Sequence, residues 1–181
     1  MLGVDKRNTF KVAITKDEIL KNVSVAVRPL TVSYVNGISK EYKGWCNKWL
    51  IVKRDNGIAF ITREVLKAFD LDEKTLWELA EVHAKEDFEI YDFMGDGTMF
   101  VGTNNNRLEG AYNAIANVKK AFKTLGTNKL WVIPSSIHEV IFIADREGVT
   151  EESLIDMICS VNDSCLKPED ILGTTPLYFE I

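Results

Sequence analysis

The 181-residue chain is poor in the residues that build special sites: three cysteines, two histidines and four prolines. The cysteines, Cys46, Cys159 and Cys165, are odd in number and form no C-x-x-C pair. That excludes a disulfide framework and the usual zinc spacings, and fits reduced thiols. No Pro/Ser-rich linker and no repeat divides the chain. No apolar run approaches the ~18 residues of a membrane span. Met1-Leu2-Gly3-Val4-Asp5-Lys6-Arg7 is not followed by a signal core. The phosphate loop G-x-x-x-x-G-K-[ST], the dinucleotide G-x-G-x-x-G and the zincin H-E-x-x-H are all missing. Neither a metal nor an organic cofactor is expected. The expected location is the cytoplasm of whatever cell makes the chain.

What is present is an ordinary globular balance, 46% hydrophobic and 27% charged. Length points to one compact unit. Residues 1–45 read as an N-terminal β-rich extension and 46–181 as an α+β domain. Strands are expected over 8–14, 23–35 (broken or placed at an edge by Pro29), 45–53, 58–62, 98–102, 129–133, 137–144 and 177–181. Asp55-Asn56-Gly57 is a hairpin signal. Segments 36–44, 87–97 and 103–107 read as loops. Helices are expected over 63–69 behind Thr62, 73–86 behind Asp72, and 151–161 behind Thr150. Ala111, Ile115, Val118, Phe122 and Leu125 share one face of a further helix ended by Gly126. About four helices beside a largely antiparallel mixed sheet give the class α+β.

The net charge of −5 is unevenly spread. Residues 1–60 hold 11 Lys/Arg against 5 Asp/Glu; the remainder hold 11 against 22. A basic group, Lys40, Lys43, Lys48, Lys53 and Arg54, is interleaved with Tyr42, Trp45 and Trp49. Lysines neutralise phosphates and exposed aromatics stack on bases, so weak DNA or RNA contact is one reading. If Trp45 and Trp49 face the core, as aromatics on half-buried strands usually do, that reading fails. An acidic stretch, 70–98, carries Asp87, Glu89, Asp92 and Asp96, interleaved with Phe88, Tyr91 and Phe93. It reads either as a partner-binding surface or as a solvated face. Its spacing does not fit an EF-hand.

Ser135-Ser136-Ile137-His138-Glu139 brings a hydroxyl, an imidazole and a carboxylate together. On a strand, Glu139 would point away from His138, so adjacent residues would not assemble a triad. No catalytic residue is assigned. A hydrolase-like site around Ser136 and His138 is a further alternative. His83 and Glu86 share a helix face but are too few to hold a metal.

Trp131-Val132-Ile133-Pro134-Ser135-Ser136-Ile137-His138-Glu139-Val140 resembles a segment of an uncharacterised bacterial domain family of gut clostridia and their mobile elements. Thr103-Asn104, Arg107 and Gly110-Ala111 are similar to the T-N-x-x-R-x-x-G-A pattern of that family. The likeness spans about 47–181 and implies no activity. In size and charge pattern the whole chain also resembles type II-A anti-CRISPR proteins. That second likeness implies a non-enzymatic inhibitor, carried by a phage or other mobile element. It would bind a Cas9-type nuclease with its guide RNA and block DNA binding or cleavage, with no membrane involved. A housekeeping or regulatory binding domain for another ligand is the alternative.

Overall fold

The computed structural model describes residues 14–55, 57–134 and 136–181. The strand expected over 8–14 falls almost wholly outside the described residues, as do Asn56 and Ser135. Helix α1 (Lys16–Asn22), capped by the Thr15 hydroxyl, leads into β1 (Val23–Pro29). β2 (Ser39–Tyr42), β3 (Cys46–Arg54) and β4 (Gly57–Phe60) follow. Helices α2 (Arg63–Phe69) and α3 (Glu73–Glu86) start at Thr62 and Asp72, whose side chains accept backbone N–H groups. Both boundaries match the sequence expectation, because a cap and an apolar face are local signals. Next come β5 (Glu89–Asp92), β6 (Phe100–Thr103), α4 (Ala111–Ala116), α5 (Val118–Leu125), β7 (Lys129–Ile133), β8 (Val140–Ala144), α6 (Glu151–Cys165) and β9 (Leu177–Glu180).

The class is α+β, with every named strand pair antiparallel. The strands form two sheets where one was expected, and six helices occur among the described residues where about four were expected. In the first sheet β3 is central. β1 lies on one side, with Val25 opposite Leu50; β2 and β4 share the other side. The boundary drawn at 45/46 therefore runs through this sheet, and 23–42 is part of it rather than an extension. The second sheet has the order β5-β6-β8-β7-β9.

One apolar core joins the sheets. Val23, Val25, Leu50 and Val52 from the first meet Leu76 and Ala80 of α3, Ala114 and Ile115 of α4, and Val132 and Phe142 from the second. α4 contacts both β1 and β6, so the helices form a middle layer. α6 covers the far face of the second sheet through Leu154 and Ile158 against Ile133 and Ile143. Among the described residues no helix is long and apolar enough to cross a membrane.

Several sequence expectations change. β1 stops at Pro29, at a sheet edge, as proline requires. The loop expected over 36–44 contains β2, a polar strand formed through its pairing with β3. The 87–97 loop contains β5. The single helix expected across 111–125 divides at Asn117, whose side-chain NH2 donates to the carbonyls of Lys85 and Asn113. The strand expected from 137 begins only at Val140, because 137–139 bends. Trp45 precedes β3, whereas Trp49 is buried against Tyr34 and Phe60.

Candidate functional site

Two polar segments, 103–111 and 136–140, meet where the middle helices touch the second sheet. The Thr103 hydroxyl donates to the His138 carbonyl at 2.8 Å, and the Gly110 N–H donates to the same oxygen at 3.0 Å. The Ala111 N–H donates to the Ile137 carbonyl at 3.2 Å. Asn104 closes its own loop: its NH2 donates to the Leu108 carbonyl and its carbonyl accepts the Leu108 N–H. On the other side, the Ile137 N–H donates to the Asp170 carbonyl. The buried alternation of hydroxyl, amide and carbonyl satisfies backbone groups that no strand or helix reaches.

His138 sits at the centre of this clasp. Its Nδ1 accepts the Glu109 N–H at 3.1 Å, which places the proton of the neutral ring on Nε2. Nε2 faces Asp170 Oδ1 at 3.5 Å. Ser136 Oγ accepts the backbone N–H of His138 at 3.0 Å, a local turn bond. The imidazole therefore has no nitrogen directed at Ser136. The parity argument that separated His138 from Glu139 does not apply, since the segment is not a strand; among the described residues, Ser136 and the His138 ring are held by different partners.

Gly110 shows how closely the segments approach. Its φ is −90°, open to any residue. A Cβ there would lie 2.4 Å from Thr103 Oγ1, 2.6 Å from the Asn104 nitrogen and 2.7 Å from the His138 carbonyl oxygen. Two of those atoms are backbone and cannot swing away. Gly110→Ala is expected to destabilise the fold by about 1–3 kcal/mol, read from urea unfolding. An unchanged midpoint would show that the clasp is looser than described.

Below the clasp lies a buried ion pair. Both terminal guanidinium nitrogens of Arg28 reach the Glu109 carboxylate, Nη2 to Oε1 at 2.7 Å and Nη1 to Oε2, with each side chain 8% exposed. Nη1 also donates to the Val27 carbonyl, and Nε to the Tyr34 hydroxyl at 3.1 Å. Burial, the largest single effect, would lower the Arg28 pKa; the charge and hydrogen bond of Glu109, with the contribution of Tyr34, together outweigh it and raise it. Glu109 and Arg107 both adopt left-handed backbone, φ 57° and 56°, which non-glycine residues adopt at a cost. The sequence reading missed this pair and missed Asp170. The available signal was an arginine inside the apolar run Val23-Ser24-Val25-Ala26-Val27-Arg28.

The structure engages part of the expected charged groups within the fold. Lys48 Nζ binds Glu81 at 2.6 Å, Lys53 Nζ binds Asp87 at 2.5 Å, and Arg54 binds Glu18 at 2.9 Å. Lys48 also lies about 5.4 Å from the Tyr42, Trp77 and Tyr112 rings. Lys40 lies over Trp77 at 4.7 Å and Lys43 over Phe179 at 4.9 Å. On the acidic side, Asp87 additionally accepts the Asn105 N–H, and Glu89 lies 3.5 Å from Arg107. Asp92 accepts the Gly95 and Gly97 N–H groups, and Asp96 accepts from Thr98. Arg28 to Glu109, Lys48 to Glu81 and Lys53 to Asp87 thus join the basic N-terminal third to the acidic remainder, while Arg54 to Glu18 lies inside that third.

The Lys48 cluster perturbs its neighbours. Burial raises the Glu81 carboxyl, but the hydrogen bond and charge of Lys48 outweigh that and hold it below the usual range. Burial pushes the Tyr112 hydroxyl up, with the Glu81 charge adding to it. Burial pushes the Cys46 thiol up to about 12, against a small opposing effect of Lys48. Cys159 and Cys165 are exposed. Two thiols are expected to react rapidly with a thiol reagent at pH 8, and Cys46 only after unfolding. Three equal rates would contradict its burial. Both raised groups favour the protonated form in the native state, so their contribution is complete below the ordinary thiol pKa of ~8.5 and is lost as pH rises toward 12.

His83 is half-buried, its Nδ1–H donating to the Val23 carbonyl at 2.8 Å. Among the described residues no three His, Cys, Asp or Glu side chains converge on one point.

A family model described as a family of unknown function, DUF5688, matches residues 81–180. That span contains α4 to β9 and every clasp residue, while Arg28 reaches it from the first sheet. No curated protein and no solved structure matches the chain. With more than half its length matched, and the two clasp segments inside the match, the chain belongs to the DUF5688 family.

Proposed function

We propose that this chain is a non-enzymatic, cytoplasmic binding module that acts by contact with a protein partner. The observation that carries the reading is the engagement of its reactive groups. Ser136 and both nitrogens of His138 are directed at backbone or at Asp170, inside a clasp that joins two segments. A nucleophile and base need a shared proton path, and here each group is spent on architecture.

The partner proposed is a Cas9-type nuclease with its guide RNA, following the likeness to type II-A inhibitors. Such a complex offers basic channels and an arginine cleft that reads the PAM. The contact is expected to rest on protein surface more than on nucleic acid. Of the basic residues, Lys48, Lys53 and Arg54 are held in ion pairs, leaving Lys40 and Lys43 at the surface. The same pairing favours a second reading, a regulatory binding domain for another protein. Pull-down of the purified nuclease–guide complex across a salt series tests the choice. Binding that persists above physiological salt supports the nuclease reading with a mainly protein contact. Binding that collapses with the steep slope of phosphate contacts restores the nucleic-acid reading. No binding across several orthologs overturns the nuclease as partner.

A further inference from the structure

β5 and β6 are joined by a turn, Asp92-Phe93-Met94-Gly95-Asp96-Gly97-Thr98, that leaves two adjacent large apolar side chains in water. Phe93 is 61% and Met94 62% exposed, and both stand outside the two apolar clusters. The turn itself is well held. Asp92 accepts from the Gly95 and Gly97 N–H groups at 2.8 and 2.7 Å, and Asp96 from the Thr98 N–H and hydroxyl at 2.9 and 2.6 Å. The Phe93 N–H donates to the Met99 carbonyl, extending the ladder by one step. Gly95 and Gly97 take φ of 74° and 75°, backbone that glycine adopts freely. Nothing in this scaffold requires an apolar residue at 93 or 94.

The geometry points to a docking finger: Phe93 and Met94 insert into an apolar pocket of a protein partner rimmed by Lys or Arg. Three features select that partner. The tip is pre-organised, so little ordering cost is added on binding. Aromatic and methionine side chains are enriched at the buried centre of interfaces. Asp92 and Asp96 flank the apolar pair. Hydrogen bonds from Thr98 hold the Asp96 carboxyl below the usual range, with the Arg146 charge lowering it further, so that flank is anionic. A carboxylate on each side opposes docking to an anionic bilayer and complements a basic pocket rim. The inference rests on the reading of the chain as a protein-binding module and adds the contact residues.

The test uses the full chain carrying photo-reactive benzoylphenylalanine at position 93, or at Val35 or Val82, which are exposed on other elements. Each is illuminated in extract of the cell that carries the gene, and the captured protein is purified. The expected result is a partner crosslinked from 93 but not from 35 or 82, through a peptide bordered by Lys or Arg. Purified, that partner should lose at least about tenfold in affinity for the doubly substituted Phe93→Ser, Met94→Ser chain. That variant should keep the wild-type unfolding midpoint, because neither side chain is packed. Crosslinks from 35 or 82 alone, or unchanged affinity of the double variant, would overturn the finger and leave the binding-module reading standing. Adducts from 93 only to a second copy or to lipid would also overturn it. No partner from any position would overturn both.

Discussion

Glu109→Ala is expected to cost about 3–5 kcal/mol of folding stability, because it leaves the Arg28 guanidinium buried without its counter-ion. The guanidinium keeps the Val27 carbonyl, the Tyr34 hydroxyl and the Phe60 ring, none of which neutralises it. Arg28→Ala should cost a similar amount by stranding the carboxylate. The pair itself is a weaker source of stability than either loss suggests, since desolvating two ions offsets much of their attraction. Arg28→Met with Glu109→Leu is therefore expected to recover most of the loss. Urea unfolding of wild type, the two alanine variants and their Arg28→Ala/Glu109→Ala combination completes a double-mutant cycle, with the Met/Leu variant measured beside it. Single losses below ~1 kcal/mol would show that water reaches the pair. The pair also links the first sheet to the clasp, so the single variants should loosen 104–110 before the core opens. Faster amide exchange at Glu109 and Gly110 would register that step.

Phe142→Ala is expected to destabilise by a comparable ~3–5 kcal/mol, through the cavity it leaves in the shared core. Phe142 is fully buried on β8, and its ring fills the place of the side chain that Gly102 lacks on β6. A Cβ on Gly102 would lie 2.4 Å from Phe142 Cε2 and 2.9 Å from Ala114 Cβ. Gly102→Ala alone should cost about 1–3 kcal/mol by overpacking. Combined with Phe142→Leu, which withdraws the ring, the loss should be less than the sum of the two single losses. Additive losses would place the ring elsewhere. The two positions interlock across a pair of neighbouring strands, and α4 sets the depth of the fit through Ala114.

Local chemistry made α2, α3, β7 and the start of α6 legible in the sequence. Thr62, Asp72 and Thr150 cap helices whose apolar faces follow within a few residues, and Gly126 ends α5 in left-handed backbone. What was not legible depends on distant residues. β2 is a strand because β3 lies beside it, and its own sequence, Ser39-Lys40-Glu41-Tyr42, is polar. Asn117 divides α4 from α5 while donating to a carbonyl 32 positions away. Arg28 and Glu109 are 81 positions apart. The charge split was visible, but its meaning was not. Lys48 to Glu81 and Lys53 to Asp87 show basic and acidic segments pairing with each other, which no count along the chain distinguishes from two surfaces facing different partners. The clasp segments were singled out in the sequence, although their role as a mutual hydrogen-bonded joint emerges only in three dimensions.

The inhibitor proposed above acts by occupancy and not by turnover. The most direct measurement titrates the protein against a fixed amount of nuclease–guide complex while following DNA cleavage. Wild type and Ser136→Ala are compared, the latter removing the hydroxyl of the hydrolase-like alternative. Cleavage is expected to fall in proportion to added protein, to reach zero near equivalence, and to do so identically for the variant at matched folded concentration. Complete inhibition far below equivalence, lost in Ser136→Ala, would contradict that and make this chain an enzyme.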